Sequence, residues 1–181
     1  MAEKFHSNNK VRKRYIKMQV NPEVSKLIKG IVICKETGIY LLDFILDTEI
    51  NPILLSSFVG ALSLFGEENM GRIEEITIKG LDIQMIIVNK YNLTLIAIMD
   101  KDFVKEDIRE EAEKSLDMFY NLYCDEIGEY VDVNAFDPFK EVLVHQINKY
   151  FENIENPEKK SEIKDFGFFT EAIAKLRNHS N

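Results

Sequence analysis

Three runs rich in aliphatic and β-branched residues follow one another between residues 72 and 99, and the links between them are very short. They cover residues 72–79, 83–89 and 93–99, joined by Gly80-Leu81-Asp82 and by Tyr91-Asn92. Parallel neighbours need a crossover of roughly a dozen residues, so these predicted strands form an antiparallel meander. The last run adds a second constraint. Leu93, Leu95, Ala97 and Met99 fall on one face, and Ile96 and Ile98 on the other. A strand apolar on both faces belongs in a sheet covered on both sides.

The remaining elements supply that cover. Residues 27–34 read as a strand, Lys35-Glu36-Thr37-Gly38 as a turn, and residues 39–46 as the second arm of a hairpin. Asn51 caps a helix with Pro52 at its first position, running to about Phe65 before Gly66 or Gly71 ends it. After the meander, Ile108, Ala112, Leu116, Phe119, Tyr120, Tyr123 and Ile127 recur at steps of three and four. They predict an amphipathic helix within residues 102–130. Asp137-Pro138 opens another, with Phe139, Leu143, Ile147, Tyr150, Phe151 and Ile154 on one face. The predicted order is β-β-α-β-β-β-α-α. The chain is of the α/β (α+β) class, with a five-stranded, antiparallel-rich sheet in a three-layer α/β/α arrangement. The first helix covers one face and the terminal helices the other.

At 181 residues the chain is long enough for one domain with a sizeable core. Its net charge of −8 is unevenly spread. Residues 1–30 hold eight lysines and arginines against two acids, a surplus of six positive charges, so the rest carries fourteen net negative ones. An acidic body repels nucleic acid and anionic membrane, and no nucleic-acid partner is expected. The basic arm, residues 1–26, suits weak peripheral contact with anionic lipid; a solvated tail is the plainer reading. The domain proper spans residues 27–155. Residues 156–161 are a linker, and residues 156–181 as a whole carry a short amphipathic C-terminal segment. The longest uncharged run, residues 50–66, is broken by Asn51, Pro52, serines and Gly60, so no integral membrane segment is expected. Cys34 and Cys124 lie far apart, outside any CxxC spacing, which suits reduced thiols and a cytoplasmic location.

Motifs for catalysis are missing. The sequence has no GxxxxGK[ST] loop, no GxGxxG fingerprint and no GxSxG elbow. His6, His145 and His179 share no metal-ligand spacing. No catalytic residue, cofactor or metal is assigned, and the chain is read as a non-enzyme.

The informative segment is the first predicted helix, because residues 52–66 contain no charge. On a wheel of 100° per residue, Leu54, Leu55, Phe58, Val59, Ala61, Leu62 and Phe65 fill one arc. The opposite arc holds Ile53, Ser56, Ser57, Gly60, Ser63 and Leu64. The first arc is expected to face the core. The second, small and uncharged, is expected to be an interface that admits close approach of another element. Cover by the chain's own tail is the rival reading. Phe166, Phe168, Phe169, Ile173 and Leu176 would form that docking segment. Aromatic side chains are costly to leave in water, at roughly 1.5–3 kcal/mol each when fully buried.

The run Leu27-Ile28-Lys29-Gly30-Ile31-Val32-Ile33 with the Gly38 turn, the helix from Leu54 to Leu62 and the meander resemble a longin (SNARE-like) domain of the longin/roadblock group. The resemblance covers residues 27–155 and rests on element order and hydrophobic pattern. A helix hidden within residues 9–28 would favour the roadblock member of the group. The resemblance implies a protein-binding module, an adaptor of trafficking-type complexes or of small Ras-like GTPase regulation. Its partner would be itself or a related longin or roadblock domain, and a small GTPase. Membrane fusion is not implied, since no long heptad segment is present. A profilin- or PAS-like ligand-sensing module is the alternative of a different class; it would need a pocket with convergent polar groups.

Overall fold

The computed structural model describes residues 20–46, 49–80, 82–103 and 107–155. The chain divides into two compact units, Ser25–Asp137 and a second made of Met1–Val24 with Pro138–Asn181. A short helix α1 (Pro22–Leu27) precedes strand β1 (Ile28–Lys35). Strand β2 (Tyr40–Ile45) and helix α2 (Pro52–Asn69) follow. Then come β3 (Glu75–Lys79), β4 (Ile83–Lys90) and β5 (Leu93–Asp100). Helix α3 (Ile108–Tyr123) and a 3-10 turn (Val133–Phe136) complete the larger unit. Helix α4 (Phe139–Glu155) belongs to the second.

The larger unit is a five-stranded antiparallel sheet in the order β2-β1-β5-β4-β3. The hairpin β1-β2 and the meander β3-β4-β5 each stay antiparallel because their links are short. Joining the two blocks through β1 and β5 puts the first and last strands of the sequence pattern at the centre. As expected, β5 is buried on both faces over Leu93–Met99.

Side-chain alternation sorts the strands into two faces. Val32, Cys34, Ile87, Ile96 and Ile98 gather beneath Val59 of α2. The opposite face carries Ile31, Ile33, Leu42, Leu95 and Val88, all buried, and α3 packs there against β4 and β5. Helix α3 buries Ile108, Ala112, Leu116, Phe119 and Tyr123. The Phe119 and Tyr123 rings also meet Phe136 of the 3-10 turn at centroid distances of 5.2 Å. The unit is therefore three-layered, α2 over sheet over α3.

Two boundaries differ from expectation. Helix α2 continues through Gly66 to Asn69, and Gly71 at φ +92° follows it. The first glycine lies inside the helix, where a Cβ would stand 2.1 Å from Ile73 Cδ1, so its small size serves packing. Helix α3 stops at Tyr123 instead of reaching Tyr130, which is 93% exposed. Beyond the stop, Ile127 and Gly128 lie outside the helix, and Lys35 Nζ donates to the Gly128 carbonyl at 2.6 Å.

The link between β4 and β5 is a two-residue turn with Tyr91 and Asn92 both left-handed, at φ 57° and 59°. That conformation matches the twist of a hairpin but is uncommon for a bulky side chain. The Tyr91 ring stacks on Tyr120 of α3 at 4.5 Å, and Lys90 pairs with Asp117 at 2.7 Å. Both contacts hold the turn against α3.

In the second unit, Asn21 caps α1 by accepting from the Glu23 amide at 3.0 Å. Helix α4 turns Phe139, Leu143, Ile147 and Phe151 inward, and His145 stays exposed.

Candidate interaction surface

Helix α2 begins as its sequence dictates. The Asn51 side chain accepts from the amides of Ile53 at 3.1 Å and Leu54 at 3.2 Å, satisfying two donors that have no partner within the helix. Pro52 stands at the first helical position, where its missing N–H costs nothing.

The helix is rotated from expectation, so that Val59 of the first arc is buried together with part of the second arc. Ser56, Val59, Gly60, Ser63 and Gly66 are its buried residues. Gly60 sits on the turn of the β1-β2 hairpin, where a Cβ would come within 2.5 Å of the Gly38 Cα and N. Gly38 itself adopts φ +88°, a conformation that excludes side chains for steric reasons. The small face thus admits close backbone approach, but the approaching element is the chain's own hairpin. Of the six residues expected at an interface, Ser56, Gly60 and Ser63 are buried inside the fold; Ile53, Ser57 and Leu64 are exposed.

Polar groups line the buried side. Ser56 Oγ donates to the Pro52 carbonyl at 2.8 Å. Burial pushes the Cys34 thiol up to about 11, opposed by hydrogen bonds to Ser56 and Thr94. Thr94 Oγ1 donates to Asn89 Oδ1 at 2.7 Å, and Asn89 Nδ2 to the Ile73 carbonyl at 2.8 Å. Ser56 thus links α2 to Cys34 of β1, which also meets Thr94 of β5, whereas the buried Ser63 Oγ has no hydrogen-bond partner among the described residues.

The outer side is apolar. Ile53, Leu54, Phe58, Leu64 and Phe65 are 50–68% exposed, and Met70 just beyond the helix is 76% exposed. Leu54, Phe58, Ala61 and Phe65, expected in the core arc, face outward. The sequence signal for the correct orientation is the small-residue series Ser56, Gly60, Ser63 and Gly66 at steps of four, three and three. Residues this small let a helix axis come close to a sheet, and a Phe or Leu in their place would hold it away.

Strand β3 is an edge of the sheet, and Ile76 and Ile78 lie half-buried on the same face as α2. The expected docking residues Phe166, Phe168, Phe169, Ile173 and Leu176 lie outside the described residues. Among the described residues, no group of His, Cys, Asp and Glu could hold a metal, and no helix is long and apolar enough to cross a membrane.

No protein-family model matches the chain, and no curated protein matches it. Among solved structures, a Roadblock/LC7 domain from Streptomyces avermitilis is similar over 60% of this chain and 97% of its own, at 8% identity and a TM-score of 0.45. MglB from Myxococcus xanthus is similar over 66% of this chain and 95% of its own, at 11% identity and a TM-score of 0.46. The gliding protein MglB from Thermus thermophilus is similar over 56% of this chain and 83% of its own, at 12% identity and a TM-score of 0.41.

Proposed function

We propose that the chain is a non-catalytic, cytoplasmic protein-interaction module, an adaptor that docks partners on the outer face of α2 and the adjoining β3. One observation carries the reading. Five large apolar side chains within the uncharged stretch 52–66 of α2 stand at least half exposed. Contiguous apolar surface of this kind marks association sites. The fitting occupants are a second copy of the chain or a related domain. The sequence resemblance adds small Ras-like GTPases as a further partner class.

Light scattering behind size exclusion, over a range of concentrations, tests the reading. Association that is lost in Phe58→Asp, with the fold retained, supports it. A wild-type chain that stays monomeric and takes up no related domain overturns it. A variant lacking residues 160–181 runs alongside; if only that variant associates, the tail is the occupant of the face. Small Ras-like GTPases loaded with GDP or a GTP analogue are then titrated in, and unchanged nucleotide release at saturating chain would remove the GTPase link.

A further inference from the structure

The turn between β4 and β5 places two phenols face to face. Tyr91 holds φ 57° at a turn position where glycine, asparagine and aspartate are the usual occupants. A bulky side chain keeps that backbone only where its surroundings fix it. Here they do. The Tyr91 ring lies on the Tyr120 ring of α3 at a centroid distance of 4.5 Å and an interplanar angle of 20°. Lys90 pairs with Asp117 of α3 at 2.7 Å, and its ammonium stands 5.2 Å from the centre of the Tyr91 ring.

Two further features make the pair reactive. Tyr91 is 45% and Tyr120 37% exposed, so both meet dissolved oxidants. Tyr123, the next tyrosine on α3, is buried against Phe119 and Phe136. The Asp117 carboxylate also accepts from the Tyr91 hydroxyl, which raises that phenol above its ordinary pKa and puts a base beside it. A base within hydrogen-bond reach takes up a proton as the electrons move.

We infer that Tyr91 and Tyr120 are an oxidative crosslinking site, at which a peroxide-driven one-electron oxidant joins the two rings and clamps the β4-β5 turn to α3. Each phenol gives up one electron and one proton, the Tyr91 proton passing through Asp117 to solvent. The two phenoxyl radicals couple at ring carbons next to the oxygens, and one carbon–carbon bond forms. The hydrogens displaced from those carbons restore the two phenols. The pair thus loses two hydrogen atoms, and one hydrogen peroxide takes up the two electrons and two protons as two waters. The site lies across the sheet from α2, so it stands or falls apart from the docking surface proposed above.

The test treats the full chain, at several concentrations, with a peroxidase and equimolar hydrogen peroxide. The expected product is a single chain, lighter by two hydrogens and fluorescent as dityrosine, with the crosslink mapped to residues 91 and 120. Its half-time should not depend on protein concentration. Tyr91→Phe and Tyr120→Phe keep the stacked rings and are each expected to abolish this product. Asp117→Asn is expected to slow it roughly tenfold, the scale of a lost proton acceptor. Lys90→Met breaks the ion pair and keeps the carboxylate, so its rate should stay near wild type; a loss equal to that of Asp117→Asn overturns the proton-accepting role. The crosslinked chain should melt about 5 °C higher or more, because a closed loop restricts the unfolded chain. Circular dichroism confirms the fold of each variant. A within-chain yield unchanged in Tyr91→Phe overturns the inference. So does product found only between copies and lost in Tyr130→Phe, or no product at oxidant doses that couple free tyrosine.

Discussion

The two sides of α2 have similar freedom from charge and opposite fates. The inner side holds Val59 among the small residues Ser56, Gly60, Ser63 and Gly66 and is sealed against the hairpin and Ile73. The outer side carries Ile53, Leu54, Phe58, Leu64 and Phe65 and meets solvent. Hydrophobicity alone would have put Leu54, Phe58 and Phe65 inside with Val59. Burial on a helix follows the space available as well as the preference for leaving water. Where the neighbour is backbone at van der Waals distance, only small residues fit.

The contrast is broken most strongly at Gly60. Gly60→Val puts methyl groups where even a Cβ stands 2.5 Å from Gly38 backbone. A loss of about 3 kcal/mol is expected from overpacking. It would appear as a melting temperature roughly 10 °C lower. A Gly60→Val variant as stable as wild type would mean that the inner side is not packed as described.

The outer side should respond in the opposite sense. Phe58→Asp or Phe65→Asp is expected to leave the melting temperature within about 2 °C, because surface changes typically shift stability little. Association should weaken roughly 10- to 100-fold, the scale of one apolar side chain returned to water. A large loss of stability with association intact would show that these rings belong to the core.

A milder probe of the inner side is Ser56→Ala. It removes the donor to the Pro52 carbonyl and the contact with the Cys34 thiol. About 1 kcal/mol should be lost in denaturant unfolding, the usual net worth of such a bond. An outer-side control, Ser57→Ala, should change less, since Ser57 is exposed.

The smallest effect is chemical. Cys34 is fully buried under α2 and Cys124 is exposed. At pH 8 an aromatic disulfide reagent should modify one thiol quickly and the second only on unfolding. The folded Cys34 pKa lies above its ordinary value of 9.0, at about 11. Its contribution to stability is thus complete below pH 9 and is lost as pH climbs through about 11. Equal rates for both thiols at pH 8 would show that α2 lifts readily from the sheet.

Much of the fold is legible in the residues. The short links at 80–82 and 91–92 require a meander, and the two-faced apolar pattern of β5 requires a central strand. Asn51-Pro52 marks the start of α2, and the stripe from Ile108 to Tyr123 marks α3. The end of α3 is not legible, because Ile127 continues the helical spacing although the chain has already turned. The site is only half legible. Absence of charge from residues 52–66 singles out α2, but hydrophobicity alone does not orient it: Val59 is buried as expected, while Leu54, Phe58 and Phe65 are exposed.

Which segments pair, and which helix has no charged face, can be read from the residues, because strand alternation, loop length and capping are local properties. Which side of α2 is inside cannot be read that way. It depends on the distance between Gly38 and Gly60, two residues brought together by folding. The same holds for the stacking of Tyr91 on Tyr120. A turn and a helix surface meet only when α3 packs across β4 and β5.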